Sequence, residues 1–467
     1  MRFNGDFHGM RVVVFGLGAS GRAASLTLSH LGAAVTVVDQ GDNQTLQERA
    51  AALRAVGIAT HLGDAPSETM CAAEMVVVSP GIPVEIDPLS KARAAGACII
   101  GELELSYMIS DAEFLAITGT KGKSTTTRLL HRMLSTAGFE TIMGGNLPNE
   151  PLCDKVLTLP ATAKVVAEVS SFQLETVRTF CPHIACITNL DIDHLDRHPS
   201  LDEYYAAKLR IFENQRAGDI LVVNGGDAKL LELTQARASS RILFGAVNPG
   251  GVNGVFLQEG QIVLAADGRT TALFNRSDIP LAGLHNVENV TAATAMAINA
   301  GASAESIKEA LEGFELAPHT LELFAEFRGI RFVDDSHATN ALSVSKAICA
   351  FDAPVILIAG GKDKGCNYRD FFKGDKGSVK TVIAIGEAAS KIESALEDEL
   401  TVLVTRGGID EIVAMAIDLA ESGDVVLLSP GCSSFDMFAD FRDRGNSFKR
   451  AVHEYFEAEG ESIEDTE

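Results

Sequence analysis

Residues 114–134 constrain the fold more than any other stretch. Phe114-Leu-Ala-Ile-Thr118 is an apolar run of strand length, and it passes directly into Gly119-Thr-Lys-Gly-Lys-Ser-Thr125. Ser124-Thr-Thr-Thr-Arg-Leu-Leu-His-Arg-Met-Leu134 then continues with helical spacing. A strand, a glycine-rich turn and a helix in that order predict a parallel sheet with crossover helices. Backbone N–H groups of such a turn can cradle phosphates, Lys123 can reach terminal phosphoryl oxygens, and the Ser124 hydroxyl can ligate Mg²⁺. Ile117 stands where the first glycine of the standard GxxxxGK[ST] loop belongs, so the loop is a variant. The chemistry it predicts is ATP binding through Gly119, Thr120, Lys121, Gly122, Lys123, Ser124 and Thr125.

The same pattern recurs along the 467 residues, a length that at roughly 150 residues per domain suggests three domains. An earlier unit opens with Met10-Arg-Val-Val-Val-Phe15, turns at Gly16-Leu-Gly18-Ala-Ser-Gly21, and reaches a second strand, Ala34-Val-Thr-Val-Val38, that ends in Asp39. That glycine turn suits a pyrophosphate at a helix N-terminus with Asp39 near a ribose, and equally suits a tight turn with close helix packing. After the phosphate loop come strands at 165–169, 184–189 and 220–224, and 245–274 alternates like β-hairpins. A third unit repeats the theme at 330–334, 355–359, 382–385 and 425–429. The expected fold is therefore α/β: an N-terminal Rossmann-like domain over 1–112, a central P-loop domain with a mostly parallel sheet over 113–316, and a C-terminal Rossmann-like domain over 317–467.

Composition narrows the function. The formal net charge is −24 with 46% hydrophobic residues, which describes a soluble acidic protein and argues against nucleic-acid binding as its main business. Part of the charge lies in Glu457, Glu459, Glu461, Glu464, Asp465 and Glu467, read as a solvated, disordered acidic tail from about 457. Eight scattered cysteines show no CxxC pair or metal-ligand spacing. No apolar run approaches the ~18 residues that span a bilayer, so no membrane partner and a cytoplasmic location are expected. Polar residues follow two further strand ends, Glu168-Val-Ser-Ser171 and Asn189-Leu-Asp-Ile-Asp193-His194-Leu-Asp196-Arg197-His198, where open α/β sheets bind ligands. Carboxylate and hydroxyl oxygens suit Mg²⁺; His194 is a less usual ligand for so hard an ion.

Taken together these strings resemble the ATP-dependent Mur ligase family over essentially the whole chain except the acidic tail. Glu168-Val-Ser-Ser-Phe-Gln-Leu-Glu175, Asp193-His-Leu-Asp-Arg-His198, Ala207-Lys-Leu-Arg-Ile-Phe212, Gly283-Leu-His-Asn-Val-Glu-Asn289 and Ser429-Pro-Gly-Cys-Ser-Ser-Phe-Asp436 carry it. Within the family the strings are most similar to the branch that joins D-glutamate to UDP-N-acetylmuramoyl-L-alanine, a cytoplasmic step of peptidoglycan precursor synthesis in cell wall biogenesis. The resemblance implies a monomeric, ATP- and Mg²⁺-dependent ligase that makes an amide bond through an acyl phosphate, with L-glutamate as an alternative acceptor.

Roles follow residue by residue from the resemblance. Lys123, His194 and Lys208 are the implied catalytic set, with Ser124, Glu168, His194 and a carbamylated Lys208 as metal ligands. Asn289 and Asp335 match adenosine contacts. Ala19, Ser20, Asp39 and Gln40 match the uridine diphosphate site, and Asn146, Ser171 and His194 the muramoyl part. His337, Thr339, Lys364, Ser434, Phe435 and Phe441 match the glutamate pocket. Two departures stand out: Pro318-His319-Thr320 lacks the arginine of a family Pro-His-Arg, and His337 replaces the lysine of Asp-Ser-Lys-Ala-Thr-Asn. Besides a different acceptor, a weakened nucleotide-binding homologue and a nicotinamide-dependent oxidoreductase are the readings to set against this one.

Overall fold

The structure, a computed structural model, describes residues 6–64, 67–147, 150–192, 197–235, 237–281, 283–315, 318–351, 353–363, 365, 367–372, 379–459 and 464–465, without the side chains of Leu342, Lys346, Glu464 and Asp465. His194 and Lys364 therefore lie outside the described residues. The chain divides into two compact units, Met1–Pro280 with Val287–Phe314, and Leu281–Asn286 with Glu315–Glu467.

The first unit holds two sheets. β1 (Arg11–Phe15), β2 (Ala34–Asp39), β3 (Ala59–Leu62), β4 (Met75–Val78) and β5 (Cys98–Gly101) pair in parallel in the order β3-β2-β1-β4-β5. The order reverses between β1 and β4, which opens a crevice above their carboxyl ends. The second sheet contains β6 (Glu113–Thr118), β7 (Thr141–Gly145), β8 (Lys164–Glu168), β9 (Ile184–Ile187), β10 (Ile220–Asn224), β11 (Ser240–Gly245), β12 (Gly254–Gln258), β13 (Gln261–Ala266) and β14 (Arg269–Asn275). β6 lies between β8 and β9, and the ladder is parallel from β7 through to β12, after which β13 and β14 finish it antiparallel. β6, β8, β9 and β10 read as apolar runs because helices cover both faces of a parallel sheet.

The two sheets share one apolar core. Val14, Leu28 and Leu105 belong to the same buried cluster as Phe114, Val165 and Phe180. Two carboxylates that follow β5 join them as well. Glu102 accepts the backbone N–H groups of Leu152 and Cys153, both at 2.7 Å. Glu104 accepts those of Arg178, Thr179 and Phe180 at 2.8–3.0 Å and the Thr179 hydroxyl at 2.6 Å.

The second unit holds β15 (Glu322–Phe327), β16 (Ile330–Asp334), β17 (Val355–Gly360), β18 (Val379–Ile385), β19 (Thr401–Val404), β20 (Val425–Leu428) and β21 (Glu464–Asp465), in the order β19-β18-β17-β20-β16-β15-β21. The first five in that order run parallel, and β15 and β21 close the edge antiparallel. Of the residues expected in a disordered acidic tail, Glu461 and Glu467 lie outside the described residues. Glu457 lies in the helix Phe441–Ala458, Glu459 pairs with Arg328 at 2.7 Å, and Glu464–Asp465 pairs with β15. Buried Phe448, Ala451, Val452 and Phe456 carry the helix that far.

Candidate active site

In the second sheet, the loops after β6, β8 and β9 meet above β6 and its two neighbours. The phosphate loop leaves β6 at Gly119, whose φ of +147° and close approach admit only glycine: a Cβ there would lie 1.9 Å from Thr188 Oγ1. The helix Lys123–Thr136 starts on Gly122, which sits in the left-handed region at φ +81°. The loop is braced from the β9 side. Asn189 Oδ1 accepts the Lys121 N–H at 2.9 Å, the Thr188 hydroxyl donates to the Lys121 carbonyl at 2.6 Å, and the Thr120 N–H donates to the Asn189 carbonyl at 3.0 Å. Thr188 and Asn189 sit in the polar stretch after β9 but had no assigned part; a strand end facing a glycine loop is the signal that could have marked them.

Lys123 Nζ folds over the loop and donates to the carbonyls of Gly119 at 3.1 Å and Thr120 at 3.0 Å. Ser124 Oγ donates to Glu168 Oε2 at 2.6 Å, and Asn146 Nδ2 donates to Glu168 Oε1 at 2.7 Å. Glu168 is 2% exposed, so this carboxylate is held between the first turn of the helix and the end of β7. The fold therefore brings together Ser124, Glu168 and Asn146, which the sequence placed far apart. Lys208 is buried too, with Nζ donating to the Gly119 carbonyl at 2.7 Å and lying 4.6 Å from the Tyr204 ring centre. Asn289 closes the loop from the other side: a Cβ on Gly122 would stand 2.2 Å from its Oδ1. Thr125 is half-buried on the same helix turn. Hard oxygen donors at Ser124 and Glu168 fit a magnesium ion.

In the first sheet, Asp39 braces the glycine turn: Leu17 N–H donates to Oδ2 at 2.6 Å and Gly41 N–H to Oδ1 at 2.8 Å. Ala19 and Ser20 begin the helix Ala19–His30 and are half-buried, while Gln40 is exposed. Gly21 must be glycine, because a Cβ would lie 1.8 Å from the Gly16 carbonyl oxygen. Ser171 is 1% exposed, and its Oγ lies 3.0 Å from His198 Nε2.

In the second unit, the segments after β16 and β20 carry the described residues matched to the glutamate pocket, and Asp335. Asp335 accepts the Ser429 hydroxyl at 2.7 Å and the Leu321 N–H at 3.2 Å. His337 is exposed, with its ring 4.9 Å from that of Phe441. Thr339 is half-buried, Ser434 is buried, and Phe435 is 68% exposed. Arg444, which the sequence reading passed over, is 1% exposed and donates to the Ser336 hydroxyl and to the Ser336 and Cys432 carbonyls at 2.9–3.1 Å. Burial lowers its pKa to about 10. Thr320 is flanked by His319 and Leu321 in the left-handed region, at φ +66° and +45°. His319 Nδ1 lies 2.7 Å from Asp334 Oδ2, and Lys449 contacts both Asp334 and Glu322. The His319, Glu322 and Asp334 grouping is thus occupied by an internal cation rather than arranged for a metal.

These loops define a nucleotide-dependent ligase built on three α/β sheets, and comparison with known proteins agrees. The Mur ligase middle domain matches residues 117–297, the Mur ligase MurD-like N-terminal domain 10–101, and the Mur ligase glutamate ligase domain 321–432. The chain belongs to the Mur ligase family. It is 43% identical over 449 residues to UDP-N-acetylmuramoylalanine--D-glutamate ligase of Acidobacterium capsulatum, covering 96% of this chain and 97% of that one. The protein of the same name from Pelotomaculum thermopropionicum is 38% identical over 448 residues, with 96% and 98% covered. Among solved structures, UDP-N-acetylmuramate-alanine ligase MurC from Thermotoga maritima superimposes with a TM-score of 0.58 at 19% identity over 96% of this chain and 100% of that one. MurF ligase from Thermotoga maritima, in complex with ADP, gives 0.59 at 14% identity over 97% and 96%. These structures share the three-domain α/β fold. Among the described residues, no helix is long and apolar enough to cross a membrane.

Proposed function

We propose that this chain joins D-glutamate to UDP-N-acetylmuramoyl-L-alanine with ATP, in the cytoplasm and as a monomer, using the domain boundaries given above. The observation that carries the reading is full-length similarity to D-glutamate ligases combined with a phosphate loop whose Ser124 meets the buried Glu168. A carboxylate is a poor acyl donor at neutral pH, so the substrate's alanyl carboxylate first attacks the γ-phosphorus of ATP, forming an acyl phosphate and ADP. The amine of glutamate then attacks the acyl carbon, and phosphate departs with the C–O bond electrons. Loop N–H groups and Lys123 hold the phosphates and offset charge on the transferred phosphoryl. Ser124 and Glu168 are the described residues that would hold Mg²⁺, joined by His194 and, once carbamylated, Lys208; the ion supplies charge neutralisation. Asn289 and Asp335 contact adenosine. Ala19, Ser20, Asp39 and Gln40 hold uridine diphosphate, with Asn146 and Ser171 near the muramoyl part. His337, Thr339, Lys364, Ser434, Phe435 and Phe441 receive glutamate. Ser171 is buried, so its part is to shape the wall rather than to present a free hydroxyl.

The test is phosphate release from Mg²⁺-ATP and UDP-N-acetylmuramoyl-L-alanine with D-glutamate, L-glutamate or no amino acid. Release that requires D-glutamate supports the reading and shows that Thr320 and His337 are compatible with it. Release only with L-glutamate moves the acceptor assignment, and release indifferent to the muramoyl substrate refutes ligation.

A further inference from the structure

Arg197 and His198 close the loop after β9, and neither has a part in the reaction as described above. Arg197 reaches into the first sheet's crevice loops, where one amino group donates to the Ile82 carbonyl at 3.1 Å and the other lies 3.4 Å from that of Gly81. That turn packs on the glycine turn after β1, because Ser79 Oγ donates to the Gly16 carbonyl at 3.2 Å and Ile82 N–H to the Ser79 carbonyl at 3.0 Å. The turns after β1 and β4 flank the strand-order reversal, where an open α/β sheet takes its ligand.

The amino group that donates to Ile82 also donates to Glu175 Oε2 at 3.1 Å, and the guanidinium stacks over the Phe172 ring at 5.0 Å. His198 packs on the same Phe172 and Glu175: its ring is 5.6 Å from Phe172 at 20°, Nδ1 is 3.8 Å from Glu175 Oε1, and Nε2 is 3.0 Å from Ser171 Oγ. The Arg197 and Glu175 side chains are each 17% exposed and His198 is 5% exposed, so the group is mostly shielded from water. Ser171 opens the turn that follows β8, three residues after Glu168, the partner of Ser124 in the phosphate loop. A planar guanidinium that engages two carbonyls, a carboxylate and a ring face holds its neighbours to a narrow set of positions, which a lysine cannot do.

We propose that Arg197, backed by Glu175 and His198, is a positioning residue that sets the offset between the crevice of the first sheet and the phosphate loop of the second. Its consequence for catalysis rests on the ligase reading: a substrate anchored over the first sheet must present its carboxylate to a γ-phosphate anchored over the second. A misplacement of about 1 Å in such a pair costs on the order of 100-fold in rate while leaving each ligand's own contacts in place. Arg197 therefore acts on kcat more than on binding.

Full-length Arg197→Met, Arg197→Lys and His198→Asn variants test this by two independent measurements. In steady-state ligation with separate calorimetric titrations of ADP and UDP-N-acetylmuramoyl-L-alanine, Arg197→Met should lose roughly 10- to 100-fold in kcat with each Kd changed by less than about 3-fold. Arg197→Lys should recover little of the loss. In hydrogen exchange followed by mass spectrometry, which needs no turnover, Arg197→Met should speed exchange in peptides covering both 79–83 and 170–176, and His198→Asn only in the second. An unchanged kcat, or exchange unchanged at both turns, overturns the proposal. A muramoyl-substrate Kd that worsens in step with kcat overturns it too, since Arg197 would then be a ligand contact. If Arg197→Met exchanges faster everywhere, Glu175→Gln, which keeps the volume and weakens one bond, takes its place under the same criteria. A wild-type protein that fails to ligate refutes the functional reading, while the exchange comparison still decides whether Arg197 couples the two turns.

Discussion

Replacing Glu104 should separate the first sheet's last helix from the loop that precedes β9, and the two simplest replacements should differ in a way set by geometry. Glu104 is 1% exposed and its carboxylate is shared out by oxygen: Oε2 takes the N–H groups of Arg178 and Phe180, and Oε1 takes the N–H and hydroxyl of Thr179. In Glu104→Ala all four donors lose their acceptor. Arg178 and Thr179 are exposed and can turn to water, but Phe180 is fully buried, in edge-to-face contact with Tyr107 at 5.3 Å and Phe114 at 5.9 Å. An orphaned buried N–H costs about 3 kcal/mol and the rehydrated donors about 1 together, giving about 4 kcal/mol. Glu104→Gln can keep its carbonyl on Phe180 and turn its amide toward the Thr179 hydroxyl, losing the charge and one N–H bond, for about 2 kcal/mol. The chain has no tryptophan, so urea unfolding is followed by far-ultraviolet circular dichroism, with hydrogen exchange at 178–180 as the local readout. A glutamine variant within about 0.5 kcal/mol of wild type, or equal to alanine, refutes the oxygen-by-oxygen account.

Glu102 has the opposite problem, because burial raises its pKa and Oε2 has no hydrogen-bond partner. The folded chain then holds the proton more tightly than the unfolded one, so stability is fully present at low pH and falls as pH rises from the ordinary carboxylate value through the raised one; Glu102→Gln should remove that fall in a pH series of melting temperatures. Gly119→Ala should lower ADP affinity at least 10-fold by calorimetry and lower the melting temperature as well, because the added Cβ meets the buried Thr188 Oγ1 and forces the loop out of shape. Carbamylation of Lys208 predicts a carbamate carbon resonance on incubation with ¹³C-bicarbonate that Lys208→Ala abolishes, together with rescue of that variant by short carboxylic acids.

What was legible in the sequence is what local chemistry alone dictates. A parallel strand buried on both faces has to be apolar throughout, so β6, β8, β9, β10, β17 and β20 could be read directly, and a glycine loop between strand and helix named its own ligand class. β15 was not readable in this way. Its residues alternate between buried and exposed, and Glu322-Leu-Phe-Ala-Glu-Phe327 carries no β-branched residue to announce a strand. The pairing of Glu168 with Ser124 and Asn146 was recoverable only through resemblance, since three segments far apart in sequence supply one oxygen cluster.

Glu102, Glu104, Glu175 and Arg197 escaped for a different reason, and it bears on how the first unit is held together. In sequence each is an ordinary charged residue near a helix, the kind that is solvated in most proteins. Apart from Glu175, which pairs with Arg197 and His198, their partners are mainly backbone groups, which every residue carries and no composition reveals. Glu104 binds three N–H groups of one loop, Glu102 two of another, and Arg197 two carbonyls of a turn in the other sheet. Backbone partners leave the neighbouring side chains free to vary while fixing chain position, because N–H and C=O groups sit where the main chain sits. A two-sheet unit that must hold a carboxylate against a phosphate is better served by such joints than by apolar packing alone, which resists separation but tolerates sliding. The buried core gives the first unit its cohesion, and these few charged side chains give it register.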